Sequence, residues 1–364
     1  MNSEVRQARI RQWLRPALLA QRAYHVSPAA GLIKLDAMEN PYRWPEALID
    51  DWLQCLRQVP VNRYPDTAGV AVKAALREAL HAPRDLSLVL GNGSDELIQL
   101  LAIAFSGGER TMLAPDPSFV MYRMAAEALG MRYAGVPLGE DFALDLDAML
   151  ATIERKKPAL IFIAYPNNPT GNLFDQDAVR QIVHAAPGLV VLDEAYHPFA
   201  ARSFLEEIER YPNLVVLRTL SKMGLAGLRL GVLFASPEWG EQFEKLRLPY
   251  NIGSLTQATA EFALRHMSTF DAQAAKICAA REQLRVALSE LPGLQVYASA
   301  ANFLLVRTPA ALGNLHAELC EQGVLVKDLH GAHRATRHCL RISVGTGDEN
   351  AALLRALQNL LSGA

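Results

Sequence analysis

Lys222 stands among small and apolar residues in LSKMGLAGLRLG (220–231), just past the apolar run LVVLRT (214–219). Desolvation in such a place lowers an ammonium's pKa and makes the amine a nucleophile. Arg229, in the same segment, offers a planar fork of donors for a phosphate dianion. A loop lysine is ordinarily a surface lysine, so Lys222 needs companions before it carries a reaction. Three other segments supply candidates. DEAY (193–196) puts Asp193 and Glu194 at the end of an apolar run. A carboxylate there is costly unless it meets a cation, which points to a positively charged ligand; the plainer reading is a solvated strand end or a helix cap. PNNPTG (166–171) follows ALIFIAY (159–165) and reads as a turn unless its asparagines serve a ligand. GNGSDE (91–96) follows LSLVL (86–90), and its glycines allow a tight turn and close backbone approach. The helix behind it would point free amides at a phosphate, or Ser94 or Asp95 would simply cap that helix. The spacing is GxGxxE rather than GxGxxG, which speaks against a dinucleotide.

The elements that must position these residues are visible as apolar runs. Residues 86–90, 110–114, 132–136, 159–165, 189–193, 214–219 and 229–235 are rich in Val, Ile, Leu and Phe with little polar alternation, as strands buried on both faces are. Helical periods fill several gaps, as at 119–129 and 145–156, which predicts an α/β unit with a largely parallel sheet between helices. Ligands in such sheets collect at the carboxyl ends of strands, where each polar segment above falls. After Pro237 the pattern changes to helical stretches at 239–246, 255–266 and 272–291, then strand-like LQVYA, NFLLVR, VLVKDL and LRISV, and a closing helix at 349–361. The expected organisation is an arm over 1–33, a large unit over 34–236, and a smaller α+β unit over 237–364 joined by part of the arm.

Lys and Arg number 36 against 38 Asp and Glu, a formal charge of −2 without long runs of one sign. That pattern lacks a nucleic-acid footprint or a polybasic membrane patch, so small molecules are the expected partners. The first residues are polar, with Arg6, Arg9, Arg11 and Arg15, and lack the apolar core of a secretory signal. Cys55, Cys278, Cys320 and Cys339 show no CxxC spacing, so reduced thiols and a cytoplasmic location are expected. His330, His333, His338 and Cys339 gather in HGAHRATRHC (330–339), but their spacing matches no zinc signature and Arg334 and Arg337 would repel a cation. The loop reads as solvated or anion-facing, and no metal is expected.

In this order and at strand ends, GNGSDE, NNPTG, DEAY and SKMGLAGLR resemble the fold-type-I aminotransferases that depend on pyridoxal 5′-phosphate (PLP), over nearly the whole chain. KLDAMENPY (34–42), NRYPD (62–66), APDPSFVMY (114–122), ANFLLVR (301–307) and CLRISVGT (339–346) are similar to segments of the histidinol-phosphate aminotransferases within that family. The resemblance implies the PLP-dependent transferase fold type I: a large domain with a mostly parallel mixed sheet between helices, plus a smaller α+β C-terminal domain. PLP is the implied cofactor.

By position in the family's motifs, Lys222 would carry PLP as a Schiff base and then move the proton between Cα and the cofactor's C4′. Asp193 would pair with the protonated pyridine nitrogen, and Asn168 and Tyr196 would hydrogen-bond the phenolic oxygen. Gly93, Ser94, Asp95, Ser221 and Arg229 would hold the phosphate, and Tyr64 would reach it from the neighbouring subunit of a homodimer. Phe119 matches the aromatic that stacks on the ring, the alternative being an ordinary core phenylalanine. Arg341 matches the arginine that binds the substrate's carboxylate or phosphate, Asn40 would line the same pocket, and Tyr24 resembles an N-terminal tyrosine that contributes to phosphate binding. Lys327 stands where many relatives carry arginine, and would meet a phosphate as a point charge.

The implied reaction interconverts L-histidinol phosphate and 2-oxoglutarate with imidazole-acetol phosphate and L-glutamate, in histidine biosynthesis. Rivals that share much of the motif set are an aromatic or broad-specificity aminotransferase and a threonine-phosphate decarboxylase-like enzyme. A non-catalytic regulator of this fold would need a helix-turn-helix module, for which the roughly thirty residues before Lys34 are too few.

Overall fold

The computed structural model describes residues 3–21, 23 and 28–362, so Tyr24 lies outside the described residues. Strand β1 (Ile33–Leu35) belongs to a smaller sheet. The larger sheet has seven strands: β2 (Ser87–Asn92), β3 (Thr111–Asp116), β4 (Arg132–Pro137), β5 (Leu160–Ala164), β6 (Leu189–Asp193), β7 (Leu214–Thr219) and β8 (Leu230–Ala235), in the order β2-β8-β7-β6-β5-β3-β4. Every expected run of this region is a strand.

The missing polar alternation has a direct cause. Along β5, Leu160, Phe162 and Ala164 enter one core with Leu97, Leu101, Tyr122 and Ala126, while Ile161 and Ile163 enter another with Leu76, Val179 and Ile182. Strand β6 splits the same way, with Leu189 and Val191 on one face and Val190 and Leu192 on the other. Helices cover both faces, and each Val, Leu, Ile or Phe side chain among these, taken from water, contributes about 1.5–3 kcal/mol.

One strand departs from parallel. β8 runs antiparallel to both β7 and β2. The connection from Thr219 to Leu230 holds only two short 3₁₀ turns, Leu220–Met223 and Ala226–Leu228. That is too short for the helical crossover a parallel return needs. The return puts Thr219 opposite Gly231, so the beginning and end of the Lys222 loop lie side by side at one edge of the sheet.

The smaller sheet runs β1-β11-β12-β10-β9, adding β9 (Gln295–Val296), β10 (Phe303–Arg307), β11 (Val324–Asp328) and β12 (Cys339–Ser343). β1 pairs parallel with β11 through Ile33, Lys34 and Leu35, straddling the expected boundary at residue 34. LQVYA shrinks to a two-residue edge strand, because the chain turns away to bond Ala300 N to Gly171 O at 2.8 Å. Its core holds Leu284, Leu288, Leu304, Leu319, Ile342 and Leu353. A separate cluster of Met38, Tyr196, Phe199, Ile277 and Phe303 ties the end of β6 to the helix Met267–Ser289 and to β10. That helix starts before residue 272, and the helices Ser3–Trp13, Glu46–Leu56 and Val70–Ala79 were not anticipated from the sequence. The first of these buries none of its residues, so it carries no apolar stripe to read.

Candidate active site

At the carboxyl end of β2 the chain turns directly into the helix Gly93–Phe105. Its cap residue, Asn92, makes no side-chain cap bond, and neither Ser94 nor Asp95 caps the helix; instead Glu96 Oε2 accepts from Asn92 N at 2.7 Å. The amides of the first turn are therefore available to an anion, and the helix dipole favours one. Gly93 has φ +78, and a Cβ there would lie 2.6 Å from Arg229 Nη2. A Cβ on Gly231 would lie 2.6 Å from the carbonyl carbon of Gly93. These two close approaches bring the guanidinium of Arg229 over the helix start. Arg229 itself adopts φ +49, and donates to Ser221 Oγ at 3.2 Å and to Asp95 Oδ2 at 3.4 Å.

Ser94, Asp95, Phe119, Asn168, Asp193, Tyr196, Ser221, Lys222 and Arg229 line one cavity, although five separate strand ends supply them. Met38, Tyr122 and Thr219 line it too and were not singled out in the sequence. Tyr122 sits one helical turn after Phe119 in the quoted APDPSFVMY, so the i, i+3 spacing could have found it. Lys222 Nζ donates to Ala37 O at 3.3 Å and lies over the ring of Tyr196. Burial, reinforced by the charge of Arg341, pulls its pKa down to about 8. Asp193, at the end of the central strand β6, accepts from Tyr122 Oη at 2.6 Å and from Ala195 N at 3.1 Å. Burial still pushes its carboxyl up to about 6.

The two acids of DEAY have different fates. Glu194, fully buried, receives Nε and Nη2 of Arg218 at 3.0 and 2.9 Å, the hydroxyl of Ser203, and the amide of Phe204 at 2.6 Å. Asp193 has no cationic partner among the described residues. The expectation of a cationic ligand thus remains open for Asp193, whereas Glu194 is answered from within the chain.

Other expected positions lie around the cavity. Asn168 Nδ2 donates to Tyr196 Oη at 3.0 Å, and Arg341 Nη1 donates to Asn168 Oδ1 at 2.6 Å. Arg341 also donates to Asp36 O, and stands directly across from Lys327 in the β11–β12 ladder, so the two cations share a face. Neither Arg341 nor Asn40 is among the residues that line the cavity itself. Asn40 faces an adjoining cleft, bonded through Nδ2 to Gln273 Oε1 at 2.8 Å and to Met223 O at 3.2 Å, beneath the Lys222 loop. Tyr64 is 80% exposed and stacks on Tyr250 at 4.4 Å, outside its own chain's cavity. In the histidine loop, His333 meets Asp116 at 3.5 Å and accepts from Ala335 N, while His330 packs edge-on against His338.

A pyridine that carries a phosphate arm, an aldehyde and a basic ring nitrogen asks for an anion cradle, a nucleophilic amine and a buried acid. The cavity provides all three: the amides after β2 with Arg229, Lys222, and an acid whose charge nothing else in the described chain answers. The family model for aminotransferase class I and II matches residues 30–357. The chain belongs to this family. It is 54% identical over 351 residues to histidinol-phosphate aminotransferase 2 of Nitrosococcus oceani, covering 96% of this chain and 98% of that one. It is 51% identical to the histidinol-phosphate aminotransferase of Chromobacterium violaceum, with 96% and 98% covered. In fold it is similar to the histidinol-phosphate aminotransferase of Sinorhizobium meliloti solved with pyridoxal 5′-phosphate, at TM-score 0.86 and 24% identity, covering 96% and 98% of the two chains. The L-threonine-O-3-phosphate decarboxylase of Porphyromonas gingivalis shares the fold at TM-score 0.75 and 21% identity, with 90% and 99% covered.

Proposed function

We propose that this chain is a PLP-dependent aminotransferase that interconverts L-histidinol phosphate and 2-oxoglutarate with imidazole-acetol phosphate and L-glutamate. The observation that carries the cofactor is the single cavity in which Lys222, Asp193 and the Arg229 cradle meet. The identity above 50% over nearly the full length to proteins named for that reaction supports the substrate.

When bound, PLP supplies an electron sink for the charge left at the substrate's Cα once its proton is removed. The remaining work belongs to the chain. Lys222 anchors the cofactor and, with its lowered pKa, is suited to take the Cα proton and return it at C4′. Asp193 holds the proton at the ring nitrogen. Asn168 and Tyr196 would hydrogen-bond the phenolic oxygen, and Phe119 would stack on the ring. Gly93, Ser94, Asp95, Ser221 and Arg229 would hold the phosphate. Tyr64, so exposed in the single chain, fits a role in the partner's site across a homodimer. Arg341 binds the carboxylate of glutamate or the phosphate of the other substrate, with Lys327 beside it. Asn40, held against Gln273 and Met223, supports the Lys222 loop and borders the substrate entrance. Tyr24 is assigned to the substrate phosphate on its motif alone. We read 34–236 as the cofactor-binding domain and 237–364 as the smaller one, whose sheet also takes in β1 from the boundary at residues 33–35, and the cytoplasm as the location. No described helix is long and apolar enough to cross a membrane.

The test is a steady-state substrate panel. Histidinol phosphate with 2-oxoglutarate should yield glutamate with the highest kcat/KM. Rapid transamination of phenylalanine without glutamate formation from histidinol phosphate refutes the substrate assignment, and CO₂ release from threonine phosphate refutes the reaction class.

A further inference from the structure

Two acids line the cavity, and among the described residues only one meets a cation: Asp95 faces Arg229, whereas Asp193 is held by hydrogen bonds alone. The shorter of these comes from Tyr122, whose side chain has no exposed surface. Its ring is clamped from two directions. Phe162 of β5 stacks on it at 4.5 Å and 13°, and Phe119 meets it edge-on at 5.6 Å and 86°. Sheet and helix together therefore fix where the hydroxyl points. Burial and the adjacent Asp193 hold this phenol's pKa well above its ordinary value, so it keeps its proton and acts only as a donor toward the carboxylate.

We infer that Tyr122 is a positioning residue for Asp193: its hydroxyl keeps the carboxylate ionised and oriented, so that the ring nitrogen of the pyridine cofactor stays protonated. This rests on the assignment of Asp193 to the ring nitrogen. The backbone amide of Ala195 engages Oδ1 and Tyr122 engages Oδ2, so both oxygens are restrained and the group cannot rotate away from the cavity. Without the hydroxyl the carboxylate binds a proton more tightly. The proton shared with the ring nitrogen then moves toward Asp193, and the ring loses the positive charge that lets it accept electrons. A charge-assisted hydrogen bond of this kind alters an equilibrium roughly ten- to a hundred-fold.

Tyr122→Phe removes the hydroxyl and keeps the ring that packs on Phe162 and Phe119. The holoenzyme is reconstituted with PLP carrying 15N in the ring, and the nitrogen resonance is followed against pH. In Tyr122→Phe the resonance should move toward that of an unprotonated pyridine near neutral pH. The Kd for PLP should rise roughly ten-fold and kcat should fall, while KM for glutamate stays within about two-fold. Placing 3-fluorotyrosine at position 122, a stronger donor, should move the resonance the opposite way, and this measurement also serves if the phenylalanine variant does not fold. A wild-type resonance at every pH in both variants overturns the proposal even if PLP binds less tightly, because lost packing alone does not move the ring proton. Asp193→Asn is measured in parallel. If it shifts the resonance and the Tyr122 variants do not, the role of Tyr122 alone falls; if it too has no effect, the assignment of Asp193 falls and takes the proposal with it.

Discussion

Asp193 should weaken the cofactor-free protein that it makes competent. Its carboxyl is 4% exposed, faces no cation of the described chain, and is held near pH 6 by burial, against two hydrogen bonds that pull the other way. An aspartate ordinarily titrates just below pH 4, so ionising this one inside the fold costs about 3 kcal/mol at pH well above 6. The sign follows from linkage. A carboxyl whose folded pKa is raised binds its proton more tightly in the folded state, so its contribution is favourable at low pH and is lost as pH rises through about 6. Asp193→Asn keeps the shape and removes the charge. Its amide oxygen can accept from Ala195 N while its NH₂ donates to Tyr122, whose hydroxyl turns to accept. Chemical denaturation of both apoproteins, at one protein concentration, should show the asparagine variant more stable by up to about 3 kcal/mol at pH 8 and indistinguishable near pH 4. With saturating PLP the order should reverse, since the wild-type carboxylate then meets the ring cation. An apoprotein difference that is destabilising at pH 8, or independent of pH, refutes the reasoning.

Three further outcomes are expected. Lys222→Ala should lack the visible absorbance of covalently held PLP and all turnover, and in the wild type the rate of PLP capture should rise with a midpoint near pH 8; Arg341→Gln should move that midpoint up, because a neighbouring cation is gone. Gly93→Ala should raise the Kd for PLP at least roughly ten-fold, read by titration of the apoprotein, since the left-handed backbone costs an alanine about 1–2 kcal/mol and its Cβ displaces Arg229. Arg218→Met should lower the unfolding free energy by about 3–5 kcal/mol by stranding the buried Glu194, and adding Glu194→Gln should recover part of that loss; an additive double mutant argues against their coupling.

How far the site was legible follows from where each residue gets its meaning. Lys222, Asp193 and Asn168 each stand at or just past the end of an apolar run, and Arg229 stands at the start of the next, and a buried strand leaves polar residues only at its ends, so order and spacing sufficed to nominate them. The same reasoning found every strand of the larger sheet, because runs such as LIFIA and LVVLD have no polar face to hide. The N-terminal helix Ser3–Trp13 escaped it, since a helix that buries nothing leaves no periodic stripe.

The sequence alone determined the identity and chemical type of the groups at each strand end, and with them the class of chemistry. Tertiary structure decided which of these groups meet. DEAY offers two acids side by side, and only the fold shows that Arg218 neutralises Glu194 while Asp193 is left for the cavity. Tyr122 reads as one apolar-face residue of a helix until β5 and β6 bring its hydroxyl 2.6 Å from that acid. Asn40, expected to line the pocket of Arg341, has its amide tied to Gln273 and Met223, which spacing along the chain does not convey. The reason is physical: spacing along a chain conveys which face a side chain occupies, whereas hydrogen-bond partners from strands far apart in sequence are set only when the sheet order and its two cores place them together.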